Sequence, residues 1–282
     1  MEHSKKIEFV KFDYVTPYLE KIDRRDAEPW LTEEVSGNGD EIYFIRLSDA
    51  IVGTAYISDE ARAFVYVYIF PEYRNRGYGD SAVAAAEQMI KTTPLIRITT
   101  AYNGHVEAAK RLAEKHGYHK KYSSALMEYR GEKFEEPELP VRRYRDEDFS
   151  EAYAMSDEAF HAMRLSTGCF PDSTLSEPDE EDRKECAENA ENEYVIELNG
   201  EIVGYAAIEG TELDEVSIKI PHQGKGLGRK FVQYLTNRIM EKGEDIPTLW
   251  CVVGNHKARA LYDSLGYQEI SRSDFAEKKF GR

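Results

Sequence analysis

Three cysteines in 282 residues, Cys169, Cys186 and Cys251, make neither an even disulfide set nor a closely spaced metal pair. Reduced thiols and no metal are expected. No apolar run is long enough to cross a bilayer, and the opening M-E-H-S-K-K-I-E-F-V holds no hydrophobic stretch of signal length. A cytoplasmic protein with no membrane role follows as the expectation. Positive charge is scarce: 37 Lys and Arg stand against 53 Asp and Glu, a formal charge of -16. That balance excludes a general nucleic-acid binder, which needs a basic face for phosphates. It suits a cationic or amine ligand better, although acidity also serves plain solubility. Two familiar glycine motifs are missing as well: there is no G-x-x-x-x-G-K-[ST], and the G-x-G-x-x-G register fails at Arg229.

What is present centres on Val216 to Arg229, V-S-I-K-I-P-H-Q-G-K-G-L-G-R. Alternating Val216, Ile218 and Ile220 predict a strand, and a glycine-rich turn then opens a helix running to about Met240. Glycines at 224, 226 and 228 let backbone N–H groups approach a ligand, at the helix end where such groups lack partners and the dipole is positive. A phosphate or pyrophosphate fits there. Lys225, Arg229 and Lys230 add cations where a helix alone would prefer acids. The alternative is a tight strand-to-helix turn without a ligand, since glycine punctuates ordinary turns too.

Along the chain, a helical region is expected around Val15 to Trp30, then a hairpin of Glu41 to Leu47 and Ile51 to Ile57 turning at Ser48-Asp49. A strand from Ala63 to Phe70 leads into R-N-R-G-Y-G at Arg74 to Gly79 and a helix from about Tyr78 to Lys91. Leu95 to Thr100 reads as a strand, His105 to His116 as a helix, and Gly117-Tyr118 opens a strand to Tyr129. The segment Gly131 to Pro140, G-E-K-F-E-E-P-E-L-P, reads as a linker. Asp146 is placed to cap a helix through Met163, and Ser166 to Asp182 reads as an acidic loop of the kind that selects substrates. Tyr194 to Leu198 and Ile202 to Ile208 flank Asn199-Gly200, a strong hairpin signal.

The second half repeats the first. Gln223 lies 149 positions after Arg74, Gly266-Tyr267 lies 149 after Gly117-Tyr118, and Gly204 lies 151 after Gly53. Each unit reads as a mixed sheet with early hairpins and later strand-helix pairs, an α/β or α+β arrangement. The expected domains are 1–130, a linker at 131–140, and 141–282.

Downstream, C-V-V-G-N-H-K-A-R-A-L-Y-D-S-L-G-Y covers Cys251 to Tyr267, with Asn255 placed to cap a helix that Gly266 ends. Q-G-K-G-L-G followed by N-x-x-A-x-x-L-Y-x-x-L-G-Y resembles the GNAT superfamily of acyl-CoA-dependent N-acyltransferases over residues 141 to 282. The first half resembles it through R-N-R-G-Y-G alone. The resemblance implies two tandem GNAT-like domains and acetyl-CoA as co-substrate, its pyrophosphate held by the backbone of Gln223, Gly224, Lys225, Gly226, Leu227, Gly228 and Arg229. It implies thioester and pantetheine contacts at Ile218 and Asn255, and an amine acceptor. It assigns the acid that protonates the departing thiolate to Tyr262; a phenol near pKa of about 10 suits a thiol near about 8.5. Glu212 is the candidate base, expected with Asp214 on the strand face of Ile218. In the first domain the Tyr262 position is Ala113, the Glu212 position is Ala63, and Asn103 falls three residues short of the Asn255 position. That domain is expected to be degenerate and catalytically silent, with Arg74, Arg76, Gly77 and Gly79 a candidate second CoA site. Two alternatives stand: a non-catalytic CoA-sensing or interaction module, and a protein lysine or N-terminal acetyltransferase.

Overall fold

The structure, a computed structural model, describes residues 6–12, 14–58, 62–90, 97–243 and 246–279. Its first elements are β1 (Ile7–Val10), α1 (Thr16–Leu19), α2 (Leu31–Gly37), β2 (Ile42–Leu47), β3 (Ala50–Ser58), β4 (Arg62–Ile69), α3 (Tyr78–Met89), β5 (Arg97–Asn103), α4 (Glu107–Lys115) and β6 (His119–Tyr129). Then follow β7 (Val141–Arg143), α5 (Phe149–Thr167), α6 (Glu180–Asn189), β8 (Glu193–Leu198), β9 (Glu201–Glu209), β10 (Glu212–Ile218), α7 (Leu227–Met240), β11 (Thr248–Val252), α8 (His256–Leu265) and β12 (Tyr267–Lys279).

These elements form two compact units, one of residues 1–124 with 271–282 and one of residues 125–270. The sheet of the first runs β1-β2-β3-β4-β5, then the later half of β12 and the earlier half of β6. That of the second runs from Tyr267–Ile270 of β12 through Ala125–Tyr129 of β6 to β11-β10-β9-β8-β7. Both sheets are mixed. Hairpin neighbours are antiparallel, whereas β4 with β5 and β10 with β11 are parallel.

The duplication is physical as well as sequential. In each unit one strand, β3 in the first and β9 in the second, bears a glycine beside a register shift: Gly53 pairs with Ile45 beside the shift at Ile45/Arg46, and Gly204 pairs with Ile196 beside the shift at Ile196/Glu197. An added Cβ at Gly53 would run into the Tyr68 carbonyl, so only glycine fits there, and one at Gly204 would meet the end of the Ile196 side chain at 2.7 Å and force it to shift. Asn199 and Gly200 both take positive φ, as the two-residue hairpin demands. In α7, Phe231, Val232, Leu235 and Ile239 repeat at helical spacing and are fully buried against the second sheet.

Several expectations need correction. Val15 to Trp30 is not one helix: α1 is a single turn, and Asp23 then accepts a hydrogen bond from Arg25 N at 3.1 Å, a local turn that competes with helix. Pro29 further disfavours helical backbone at Glu28, and the helix begins only at Leu31. Asp146 does not cap α5; its carboxylate takes both Arg183 donors at 2.8 and 2.6 Å, while Asp148 accepts from Arg145 N at 2.7 Å. The acidic stretch to Asp182 contains the start of α6, capped by Asp179 through Glu181 N and Asp182 N. Residues 131–140 pack rather than dangle: Phe134 exchanges backbone hydrogen bonds with the Asn237 side chain at 2.9 and 3.0 Å and stacks 4.9 Å from Tyr129. Leu95 lies outside the described residues.

Candidate active site

The glycine-rich turn of the second unit gathers backbone donors into a cradle. Gln223 donates from Nε2 to the Ile218 carbonyl at 2.9 Å, tying the turn to the strand end. Gly224 and Gly226 take φ of +73° and +86°, with open space where a Cβ would stand, so left-handed backbone rather than crowding selects glycine. At Gly228 a Cβ would sit 3.7 Å from Ile218 and 3.8 Å from Leu261, an ordinary packing distance. Among the described residues, no acceptor faces the six N–H groups of Gly224, Lys225, Gly226, Leu227, Gly228 and Arg229. Six adjacent free donors at a helix N-terminus fit a diphosphate. Of the expected cations, Lys225 is exposed beside them, Arg229 donates to Ser264 Oγ at 2.5 Å, and Lys230 to the Glu138 carbonyl at 3.1 Å.

Below the cradle, β10 and β11 pair only at Glu212 opposite Thr248 among the described residues. Beyond that point the inner edge of β10 is free to meet a ligand. Asn255 caps α8, its Oδ1 accepting from Ala258 N at 3.3 Å. Tyr262 on α8 is 9% exposed and lies in the core cluster shared with Ile218, Cys251 and Tyr267, its ring 6.0 Å from that of Tyr267. Burial, then the neighbouring Cys251 and Tyr267, holds its phenol above the ordinary range, so it stays protonated. Among the described residues its hydroxyl has no hydrogen-bond partner.

Glu212 does not share the face of Ile218. The β9–β10 register shifts between Asp214 and Ser217, and Glu215 takes φ of +50°, so one extra residue reverses the alternation. Leu213, Val216 and Ile218 all join the core on the α7–α8 side, which turns Glu212 and Asp214 to the other face. On that face lies a cavity of about 500 Å³ lined by Asp214 and Glu215 of β10, Glu209 of β9, Glu193 of β8 and residues of α5 and α6. Burial, then Asp214 and Glu209, pushes both Glu212 and Glu215 up to about 7. Glu215, missed from sequence because the bulge leaves no motif, is thus a base candidate beside Glu212.

The first unit keeps the same skeleton with different side chains. Arg74 donates from Nε to the Ile69 carbonyl at 2.9 Å, the role Gln223 plays 149 positions later. Its remaining donors are taken by Asp26. Asn75 and Gly77 take φ of +59° and +78°, and a Cβ on Gly79 would meet Leu112 at 3.2 Å. At the Arg229 position stands Asp80, paired with Lys115 at 2.8 Å and His116 at 2.9 Å. An acid in that first turn opposes a phosphate. Arg74, Gly77 and Gly79 line a cavity of about 340 Å³, whereas Arg76 bonds the Glu72 carbonyl at 3.1 Å. Asn103 accepts from His105 N at 3.0 Å, and Val106, at the N-cap of α4, supplies no side-chain cap.

Comparison with known proteins agrees with this geometry. The profile described as "Acetyltransferase (GNAT) family" matches residues 7–118, and that described as "FR47-like protein" matches residues 195–276. The chain is similar to the ribosomal protein bS18-alanine N-acetyltransferase of Escherichia coli (strain K12), 29% identical over 84 residues, 28% of this chain and 55% of that protein. It is also similar to an L-amino acid N-acyltransferase of the same organism, 30% identical over 97 residues, 31% of this chain and 56% of that protein. The chain therefore spans about half the length of the curated relatives it matches. Among solved structures it resembles a GCN5-related N-acetyltransferase from Sphaerobacter thermophilus, with TM-score 0.66 and 19% identity over 88% of this chain and 85% of that one. A tandem GNAT protein from the clavulanic acid biosynthesis pathway gives TM-score 0.61 and 13% identity over 98% and 99%. At these identities the structures speak for the fold alone. Since family profiles match both halves and a tandem fold of the same kind follows nearly the whole length, the chain belongs to the GNAT family of acetyltransferases, with two GNAT-type domains.

Proposed function

We propose that the second unit transfers an acetyl group from acetyl-CoA to a primary amine of a small molecule or peptide, by direct attack while both are bound. The observation that carries this reading is the run of six unpartnered N–H groups from Gly224 to Arg229, with Tyr262 on the neighbouring helix. Acetyl-CoA supplies the thioester. The cradle backbone holds its diphosphate, Ile218 and Asn255 orient the arm, and the free edge of β10 offers N–H donors to charge developing on the carbonyl oxygen. A carboxylate of β10, Glu215 at the bulge or Glu212 before it, accepts the proton of the attacking amine. Tyr262 gives a proton to the departing sulfur, so an amide and a free thiol leave.

The first unit lacks that phenol and carries an acid in its cradle, which supports a non-catalytic role. Its cavity beside Gly77 and Gly79 favours CoA binding without turnover there. Thiol release from acetyl-CoA over a panel of amines tests transfer. Absence of release with every amine, alongside calorimetric CoA binding, would leave the sensing role instead. Titration with CoA gives one site per chain if only the second cradle works and two if both do.

A further inference from the structure

The cavity of the second unit collects carboxylates and supplies almost no counter-charge. Asp157, Asp182, Glu185, Glu209, Asp214 and Glu215 line it, joined by Glu193, against a single guanidinium, Arg164. Arg164 is already engaged: its Nη1 lies 3.7 Å from Asp157 Oδ1, and it rests 5.8 Å over the Phe160 ring. None of the other six acids is in an ion pair among the described residues. Glu193 adds an independent sign. It is 4% exposed, and its Oε2 is buried without a hydrogen-bond partner, an arrangement folded proteins avoid unless a ligand or water completes it.

These acids come from α5, α6, β8, β9 and β10, so the charge surrounds the space instead of marking one wall. One ammonium cannot neutralise it. Between the acids stand Tyr144, Phe149, Tyr153, Phe160 and Tyr205, surfaces that accept methylene chains and the faces of cations. An amino acid or acidic peptide would bring its own carboxylate into this field, with only Arg164 to receive it. Burial, then the acids around them, pushes Glu193 and Glu215 up to about 7.

We propose that this cavity is the acceptor site for an aliphatic polyamine, a chain with two or more ammonium groups and no carboxylate. The assignment rests on the second unit being the acetyl-transferring one. In the reaction, one ammonium gives a proton to a carboxylate of the cavity and its nitrogen bonds the acetyl carbon; the carbon–sulfur bond breaks, the nitrogen sheds its second proton as the amide forms, and sulfur gains one, so one proton is released in all. Acetylation removes one positive charge, so the product is held less tightly than the acceptor.

The test is calorimetric titration of the full chain with spermidine in the absence of acetyl-CoA, at low and high salt, with thiol release measured in parallel for spermidine, L-alanine and an alanine-led peptide. Saturable spermidine binding is expected, at least tenfold weaker at high salt and at least tenfold weaker in Glu193→Gln and Glu215→Gln. Glu188→Gln, an exposed acid of α6 paired with Lys184 outside the cavity, leaves binding unchanged. Spermidine binding that is absent, or that ignores the two cavity variants, overturns the assignment. Thiol release with alanine or the peptide but no spermidine binding overturns the polyamine and leaves acetyl transfer intact. Binding with no release from any amine keeps the cavity and overturns transfer.

Discussion

Replacing Glu193 by Gln separates the electrostatic account of the second unit from its packing, because the two side chains have nearly one shape. Glu193 is almost wholly enclosed, and burial pushes its carboxyl from an ordinary 4.5 to about 7. An acid whose folded-state pKa is raised binds its proton more tightly folded than unfolded. Its folded form is therefore favoured below pH 4.5 and loses ground as pH rises from 4.5 to about 7, with no further change above. At about 1.4 kcal/mol per pH unit the loss amounts to ~3 kcal/mol. Glutamine stays neutral throughout, so the stability difference between Glu193→Gln and wild type should widen by about that amount between pH 4.5 and 8. The two tryptophans make the measurement selective: in a Trp30→Phe background, Trp250 of β11 reports urea unfolding of the second unit alone. Parallel pH profiles for the two proteins would refute the reasoning.

Tyr262→Phe should lower kcat for thiol release by ~10²-fold or more while leaving the acetyl-CoA KM near wild type, the pattern of a lost proton donor; an unchanged kcat would remove Tyr262 from the chemistry. Gly226→Ala places a side chain at φ of +86° and should destabilise the second unit by ~1–2 kcal/mol while raising the acetyl-CoA KM, read by urea unfolding and steady-state kinetics. Arg229→Ala should weaken CoA binding about two- to fivefold, since an exposed cation paired with an anion contributes up to ~1 kcal/mol, and unchanged affinity by calorimetry would remove Arg229 from the site. Cys186, its thiol pushed up to about 11 by burial and then by Glu193, should react with a disulfide reagent at pH 8 far more slowly than free cysteine.

Where local chemistry decides structure, the sequence could be read directly. Gln223 to Gly228, Asn199-Gly200 and the Asn255 cap each need particular residues at particular φ angles, and the duplication exposed each of the two cradles through the other. The two halves could also be told apart, Ala113 standing in the first at the position Tyr262 holds in the second. Tertiary choices were hidden. The bulge at Glu215 depends on strand pairing and carries no residue signature, so Glu212 was set on the wrong face and Glu209, Glu193 and Glu215 were not gathered into one cavity. Helix α6 is polar on every side and so lacks periodicity, although Asp179 and Asp182 form the reciprocal cap that announces its start. The stretch at 131–140 has a linker's composition and still packs, because Asn237 satisfies the backbone of Phe134.

Residues 271–279, the later half of β12, lie against β5 in the first unit, with Ser273 opposite Asn103 and Lys279 opposite Arg97. During synthesis the first unit therefore cannot complete its sheet until residues 271–279 have been made, and β5 keeps an unpaired edge on the ribosome until then. Shortening the chain from its C-terminal end should harm the early unit before the late one. Cutting at the acidic stretch after Tyr129 would not release two self-sufficient pieces.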